Sequence, residues 1–329
     1  MCDNRPMTLE DLIRSNDSQL EALALQSPAF GIDASNVRDR INSRRTLFHD
    51  SYAAIVDCCT ELNLAPPIET IWNLWLPLAI QIADWRGMLD RCLIQGFLGG
   101  QGTGKTTLTR VLTVILKQLG YQAVSWSIDD LYLSYLDRIA LRNRDPRLIR
   151  RGPPGTHDVQ LGINVLSQLQ QGNFPIALPR FDKSLHNGEG DRTIPETIDQ
   201  ADIVLFEGWF IGVRPIVSQF EIAPIVTDSD RQFAQDMNEQ LRDYLPLWEM
   251  LDRLIVLYVP NYQLSKQWRK QAEHRMIAQG KSGMTDAEIE QFVEYFWKAL
   301  HPELFILPVL ENADLVLEIG VEHTVTKIH

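Results

Sequence analysis

Cysteine is scarce in this chain. The four thiols are Cys2, Cys58, Cys59 and Cys92. None has C-x-x-C spacing and two are adjacent, which excludes a zinc knuckle or a disulfide framework and fits a reducing, cytoplasmic setting. Basic charge is in deficit: 31 Lys and Arg against 43 Asp and Glu leave a net charge of -12. Nucleic acid and anionic membrane surfaces both attract the opposite sign, so neither is an expected partner. A local basic pocket for a small anion stays compatible with that balance. No apolar run approaches the ~20 residues that cross a bilayer. The opening residues lack a basic segment followed by a long apolar one, so no secretory leader is expected. Internal repeats and low-complexity tracts are missing as well.

What is present divides near residue 90. A chain of 329 residues with 45% apolar side chains can bury one large domain or two smaller ones. Residues 1–90 read as helical. "TLEDLIRSNDSQLEALALQ" and, beyond Pro66-Pro67, "IETIWNLWLPLAIQIADW" carry apolar residues at helical spacing, and Pro77 should kink or interrupt the second. Trp72, Trp75 and Trp85 are expected to pack a core. From Arg91 the texture changes to short apolar runs alternating with helical segments. Strands are expected at 92–98, 122–128, 202–207, 253–259 and 314–319. Between the first two, Leu108, Leu112, Ile115, Leu116 and Leu119 share a helix face that Gly120 ends. Strand, crossover helix, strand implies a mostly parallel sheet with helices on both faces, an α/β fold. Residues 137–200, rich in Pro, Gly and charge, are expected to form long loops around one helix, "VQLGINVLSQLQQ".

The first strand runs into Gly99, Gly100, Gln101, Gly102, Thr103, Gly104, Lys105 and Thr106, which matches G-x-x-x-x-G-K-[ST] in the right strand-to-helix context. A phosphate chain needs many N–H donors converging on it. Glycines let the backbone wrap that tightly, and the helix start adds free amides with partial positive charge. Lys105 brings a full charge to the outer phosphates, and the Thr106 hydroxyl can ligate Mg²⁺. Thr107 completes the candidate nucleotide-binding set.

Two further strands end in acids, Asp129-Asp130 and Glu207. In such folds ligands sit at the carboxyl ends of the strands, where an acid can hold the Mg²⁺ shell or take a proton from an attacking hydroxyl. Capping of the following segment is the competing reading for Asp129 and Asp130. Two neighbours cannot easily face one site, so the pair is expected to divide the two tasks. Glu207 is expected on the metal side. The guanine-reading N-K-x-D, the L-S-G-G-Q signature and a D-E pair are all missing, which leaves a small-molecule phosphotransferase as the best-fitting class. "RRGPPGTHDVQL" and "PRFDKSLHNGEGDR" set Arg151, His157, Lys183 and Arg192 in glycine-rich loops, where they can bind a small anionic acceptor. Solvated loop positions are the alternative. Asp158 also fits a helix N-cap. The basic segment 265–283, with Arg269, Lys270 and Arg275, reads either as a lid that brings an arginine to the transferring group or as an exposed helix face. After it, Thr285 and Glu288 fit a capping box, and Ile289, Phe292, Phe296 and Leu300 a buried stripe.

Six blocks in order, "GGQGTGKTT", "SIDDLYLS", "RGPPGTHD", "PRFDKSLHNGEGDR", "VLFEGWFIG" and "WRKQAEHRMIAQGKSGMTD", resemble the D-glycerate 3-kinases of plant and cyanobacterial type, within a wider group of pantothenate and uridine kinases. The resemblance covers about residues 90–329. It implies a P-loop NTPase fold with an N-terminal helical extension (1–90), a kinase unit (91–329), acceptor loops near 137–200, and a lid near 265–283. It also implies ATP with Mg²⁺, transfer of a phosphoryl group to D-glycerate to give 3-phosphoglycerate, and a place in photorespiratory carbon salvage. By matching position, Lys105 and Thr106 serve the phosphates and metal, and Asp129 lies near the acceptor hydroxyl and metal. Glu207 stands as the acid after its strand and Arg269 as the lid arginine. His157, Asp158, Lys183 and Arg192 fall in the acceptor blocks. Two positions depart from the pattern: Leu131 stands where an aromatic is expected, and Glu189 where a basic residue is expected.

Overall fold

The computed structural model describes residues 17–25, 28–65, 67–278 and 283–329. Cys2, the start of the expected first helix, Pro66, and residues 279–282 of the expected lid lie outside them. Helix α1 spans Asp17–Ala24 and α2 Val37–Glu61. On α2, Val37, Ile41, Arg44, Leu47 with Phe48, Ser51, Ile55 and Cys59 are buried at three- and four-residue spacing, the stripe a core-facing helix requires. Helix continues from Ile68 and reaches Leu76–Gly87, here α3. The interruption expected at Pro77 takes the form of a wide turn over Ile71–Trp75, closed by a bond from the Leu76 N–H to the Ile71 carbonyl. Proline has no N–H to offer the turn before it, and a widened turn removes that demand without a sharp break. Trp72 and Trp75 are buried in this core, and Trp85 is partly buried against it.

The strands follow as β1 Leu93–Gly99, β2 Ala123–Ser127, β3 Ile176–Leu178, β4 Phe181–Asp182, β5 Asp191–Arg192, β6 Glu196–Ile198, β7 Ile203–Gly208, β8 Arg253–Tyr258, β9 Leu315–Ile319 and β10 Val325–Ile328. Six of them form the central sheet in the order β10-β9-β8-β1-β7-β2. Neighbours are parallel except β10, which runs antiparallel along the β9 edge. Both faces are covered, so the strands read as nearly continuous apolar runs. Phe97, Leu205, Ile255 and Leu317 face one core, shared with α2, α3 and the helix Lys105–Gln118, α4. Leu98, Val204, Phe206 and Val256 face the other, shared with the helix α6 described below. Each fully buried aliphatic side chain contributes about 1.5–3 kcal/mol to this assembly.

Between β2 and β7 the chain departs from the expected loops around one helix. Besides Val159–Gln171, numbered α6, it forms α5, Tyr135–Arg144, capped by Ser134. It also builds an arm in which β3 pairs β6 and β4 pairs β5. Helix α7 spans Asp228–Gln240 and α8 Leu264–Ala278. Helix α9, Asp286–Ala299, starts at the Thr285/Glu288 capping box and buries Ile289, Val293, Phe296 and Trp297. Phe292 of the expected stripe is only partly buried. No described helix is long and apolar enough to cross a membrane.

Candidate active site

The site lies at the carboxyl ends of β1, β7 and β2. The registers set Phe97 and Ser127 beside Glu207, so the loop after β1, the Glu207 side chain and the turn after β2 meet along one edge. Gly102 and Gly104 take φ of 79° and 86°, values L side chains rarely adopt. Gly104 is the N-cap of α4 and no side chain caps it, so the first-turn amides are left to a ligand. That is the cradle a phosphate chain fits. The Lys105 ammonium reaches back to the Gly100 carbonyl at 3.0 Å. Burial lowers its pKa, opposed by the negative charges of Glu207 and Asp129 and reinforced by Lys183.

Thr106 Oγ1 donates to Glu207 Oε1 at 2.8 Å, and Glu207 is buried. A hydroxyl and a carboxylate at that separation form a hard-oxygen pair suited to Mg²⁺. Among the described residues no cluster of three or more His, Cys, Asp or Glu side chains could hold a metal ion. An ion here would therefore complete its shell with phosphate and water.

The adjacent acids divide. The Ser127 hydroxyl accepts from the Asp129 amide and the Asp130 carboxylate accepts from the Ser127 amide, a capping box. Asp130 also receives the Phe181 N–H at 3.0 Å and the Arg180 guanidinium at 3.1 Å, so it roots the arm. Burial raises its pKa, against Arg180. Asp129 faces the other way. Its Oδ1 accepts from the Tyr132 hydroxyl at 2.7 Å and its Oδ2 from the Lys183 ammonium at 2.6 Å. Burial works to raise its pKa, but Lys183 and the Tyr132 hydrogen bond prevail and hold it below the ordinary carboxylate value. Tyr132 is pushed up, by burial and then by Asp129, and keeps its proton.

His157 stacks on Tyr132 with centroids 4.6 Å apart. Its Nδ1 lies 2.8 Å from the Tyr244 hydroxyl, which accepts the Gly155 amide. Burial drives His157 down to about 3, so its ring is neutral near pH 7, and Nε2 is buried without a hydrogen-bond partner. Asp158 caps α6 through the Leu161 amide and pairs with Arg192 at 2.9 Å. Arg192 in turn donates to the Tyr132 carbonyl. Asp158 and Arg192, expected among the acceptor residues, are thus occupied with each other and with backbone. Arg151 donates to the Gly188 and Glu189 carbonyls and lies over the Tyr132 and Phe181 rings. Leu131, where an aromatic was expected, is fully buried, and Tyr132 presents the ring instead. Glu189 pairs with Arg142 of α5 at 2.7 Å, so the expected basic group arrives from a different helix.

Helix α8, the segment expected as a lid, meets the loop through Trp268. A side chain on Gly102 would come within 3.0 Å of it, and Trp268 stacks on His323 at 4.3 Å. Arg269 is not brought to the phosphate loop in this state. It pairs with Glu273 at 3.0 Å and lies over Phe292, because one helical step past Trp268 points toward α9. A mainly apolar cavity of about 90 Å³ opens beside Gly99 and Gly100, walled by Trp209, Phe296 and Trp297. Tyr132, Tyr244, Arg180, Trp268 and His323 were not singled out from sequence. Tyr132 and Trp268 stand inside the quoted blocks, next to residues that were, whereas Tyr244 and His323 carry no local signal.

No protein-family model matches the chain. The chloroplastic D-glycerate 3-kinase of Arabidopsis thaliana is 33% identical over 245 residues, 70% of this chain and 52% of that protein; the chain spans about half the length of that relative. An uncharacterized kinase of Schizosaccharomyces pombe is 31% identical over 234 residues, 68% of this chain and 83% of its own length. Among solved structures, D-glycerate 3-kinase from Cryptococcus neoformans var. grubii superposes with a TM-score of 0.65 at 27% identity, over 77% of this chain and 98% of that one.

Proposed function

The chain belongs to the family of P-loop kinases that includes D-glycerate 3-kinase, and from that premise we propose that it transfers the γ-phosphoryl group of ATP to the 3-hydroxyl of D-glycerate. The observation that carries this reading is the meeting of Lys105, the Thr106–Glu207 pair and the Asp129–Lys183 pair along one sheet edge. The residues Gly99 to Thr107 cradle the phosphates. Thr106 and Glu207 would hold Mg²⁺, with Asp129 as the next acid along the edge. When bound, that ion supplies positive charge at the phosphate oxygens. The chain's own residues do the rest. Asp129 orients the acceptor hydroxyl and takes its proton as the oxygen bonds to the γ-phosphorus and the bond to the bridging oxygen of ADP breaks. Lys105 neutralises charge on the group in flight, and Arg269 joins it once lid closure separates it from Glu273; positioning and charge neutralisation are where catalysis of this reaction mostly comes from. Lys183 and Arg151 suit the acceptor carboxylate, with neutral His157 as a further donor, while Asp158 and Arg192 hold the pocket wall.

The cytoplasmic setting follows from cysteine usage, and photorespiratory carbon salvage from the resemblance to plant-type enzymes. The helices before residue 90 act as a packing cap on the kinase unit. A second reading, a kinase for a larger acceptor such as pantothenate or a nucleoside, draws on the apolar cavity beside Gly99. A nucleotide-binding switch without transfer activity would leave the acids without use. ADP release measured with ATP·Mg and a panel of acceptors separates the three. D-glycerate should give the highest kcat/KM; a preference for pantothenate or a nucleoside overturns the acceptor assignment, and tight ATP binding without turnover supports the switch.

A further inference from the structure

The arm that carries Lys183 is fixed at its root and tied back at its tip, where Arg138 and Arg151 donate to the Gly188, Glu189 and Gly190 carbonyls. Asp130 grips Arg180 and Phe181 just before Lys183, and Glu196 holds Arg180 from the returning strand at 2.6 Å. Directly after Lys183, Asp182 Oδ1 accepts from both the Ser184 amide and its hydroxyl. The Lys183 backbone is thereby pinned, yet its side chain is 60% exposed while that of Asp129 is only 24% exposed. The lysine lies on the solvent side of the acid it binds. On the inner side, the other Asp129 oxygen holds the Tyr132 hydroxyl. In this state both oxygens of the acid are engaged, and an ammonium offsets the charge that would draw a hydroxyl proton toward it.

We propose that Lys183 masks Asp129 until an acceptor carboxylate draws the ammonium away, so that a negative charge on the acceptor, rather than its hydroxyl alone, unmasks the proton-accepting group. This deepens the D-glycerate reading and rests on it. The swap needs no movement of the arm, because a flexible four-carbon stem on a fixed backbone relocates its charge by rotamer changes alone. Arg151, stacked on Phe181 of the same arm, provides a second cation to hold the carboxylate once it arrives. A neutral polyol offers Lys183 no better partner than Asp129, so it binds to a masked site. Lys183 is therefore a specificity-determining residue that discriminates acids from alcohols through Asp129, and it also restrains water from serving as acceptor when no acid is bound.

The test uses the full-length chain with ATP·Mg and three small molecules: D-glycerate, glycerol, which lacks the carboxylate, and D-lactate, which keeps the carboxylate but lacks the 3-hydroxyl. In the wild type, D-lactate should stimulate ATP hydrolysis several-fold. Lys183→Met should raise hydrolysis without any acid and abolish the lactate effect. It should also contract the ratio of kcat/KM for D-glycerate over glycerol by about a hundredfold, and Lys183→Arg should restore part of that ratio. Wild-type turnover of D-glycerate with no lactate stimulation, and a Lys183→Met variant that loses activity on both acceptors equally, would overturn the mask and leave Lys183 an anchor of the arm. No wild-type turnover of D-glycerate at all would overturn the acceptor reading and the mask with it.

Discussion

The two ends of the active edge are built from different materials. At the β1 end, the proposed phosphate cradle is nine consecutive residues, Gly99 to Thr107, built mainly of backbone amides with the side chains of Lys105 and Thr106 added. At the β2 end, Tyr132 and Lys183 hold Asp129 and His157 stacks on Tyr132, while Arg180 bonds to Asp130, Arg192 to the Tyr132 carbonyl and Tyr244 to His157. A cradle of main-chain donors serves any nucleoside triphosphate and barely depends on side chains. A pocket of exchangeable ion pairs and stacked rings can be retuned one side chain at a time. The contrast suggests how one phosphate grip can serve kinases with different acceptors.

The sharpest way to break this comparison is at Asp129. Asp129→Asn should lower kcat by about 10²–10⁴, the range for losing a general base, with KM for ATP nearly unchanged. A large rise in KM for ATP would show that the two ends are not independent. Lys105→Ala should lower kcat by about 10²–10³, as for other lost charge-stabilising donors, and here KM for ATP should rise while KM for the acceptor holds. Next comes acid. His157 titrates at about 3 in the folded chain, below the 6.5 of a free imidazole. Between those values the unfolded chain binds the extra proton, so stability falls as pH falls. The loss should reach about 2 kcal/mol by pH 5 relative to pH 6.5 and grow further toward pH 3. Urea melts across that range should show it, and His157→Gln should remove that component. The smallest effect is expected at Tyr132→Phe. It deletes one hydrogen bond to a charged group, worth about 1.5 kcal/mol, or roughly tenfold in kcat/KM for the acceptor, without touching ATP affinity.

The same contrast explains what could be read in advance. The cradle is contiguous, and the five parallel strands carry long apolar runs, so their ends fall within one residue of those expected from the pattern. The Thr285/Glu288 box announces α9 in the same local way. The arm could not be seen because strands of two or three residues are too short to show a period of two. Helix α5 buries only Arg138, so it has no apolar stripe to betray it. Asp158 meets Arg192 across 34 residues and His157 meets Tyr244 across 87. Such pairings are made by the fold and leave no spacing to count. Arg269 illustrates the reverse case: its block is legible, but which way the side chain turns is decided by Glu273 and Phe292.

The arm enters on β3 and leaves on β6, and these two strands lie side by side, with Leu178 opposite Glu196. Its two chain ends are therefore neighbours, and the loop they enclose is tied back to the body by Arg138, Arg151 and the Arg142–Glu189 pair. Exchanging the residues between the two strands for a counterpart would therefore require matching partners on α5 and in the loop before α6, where Arg138, Arg142 and Arg151 stand.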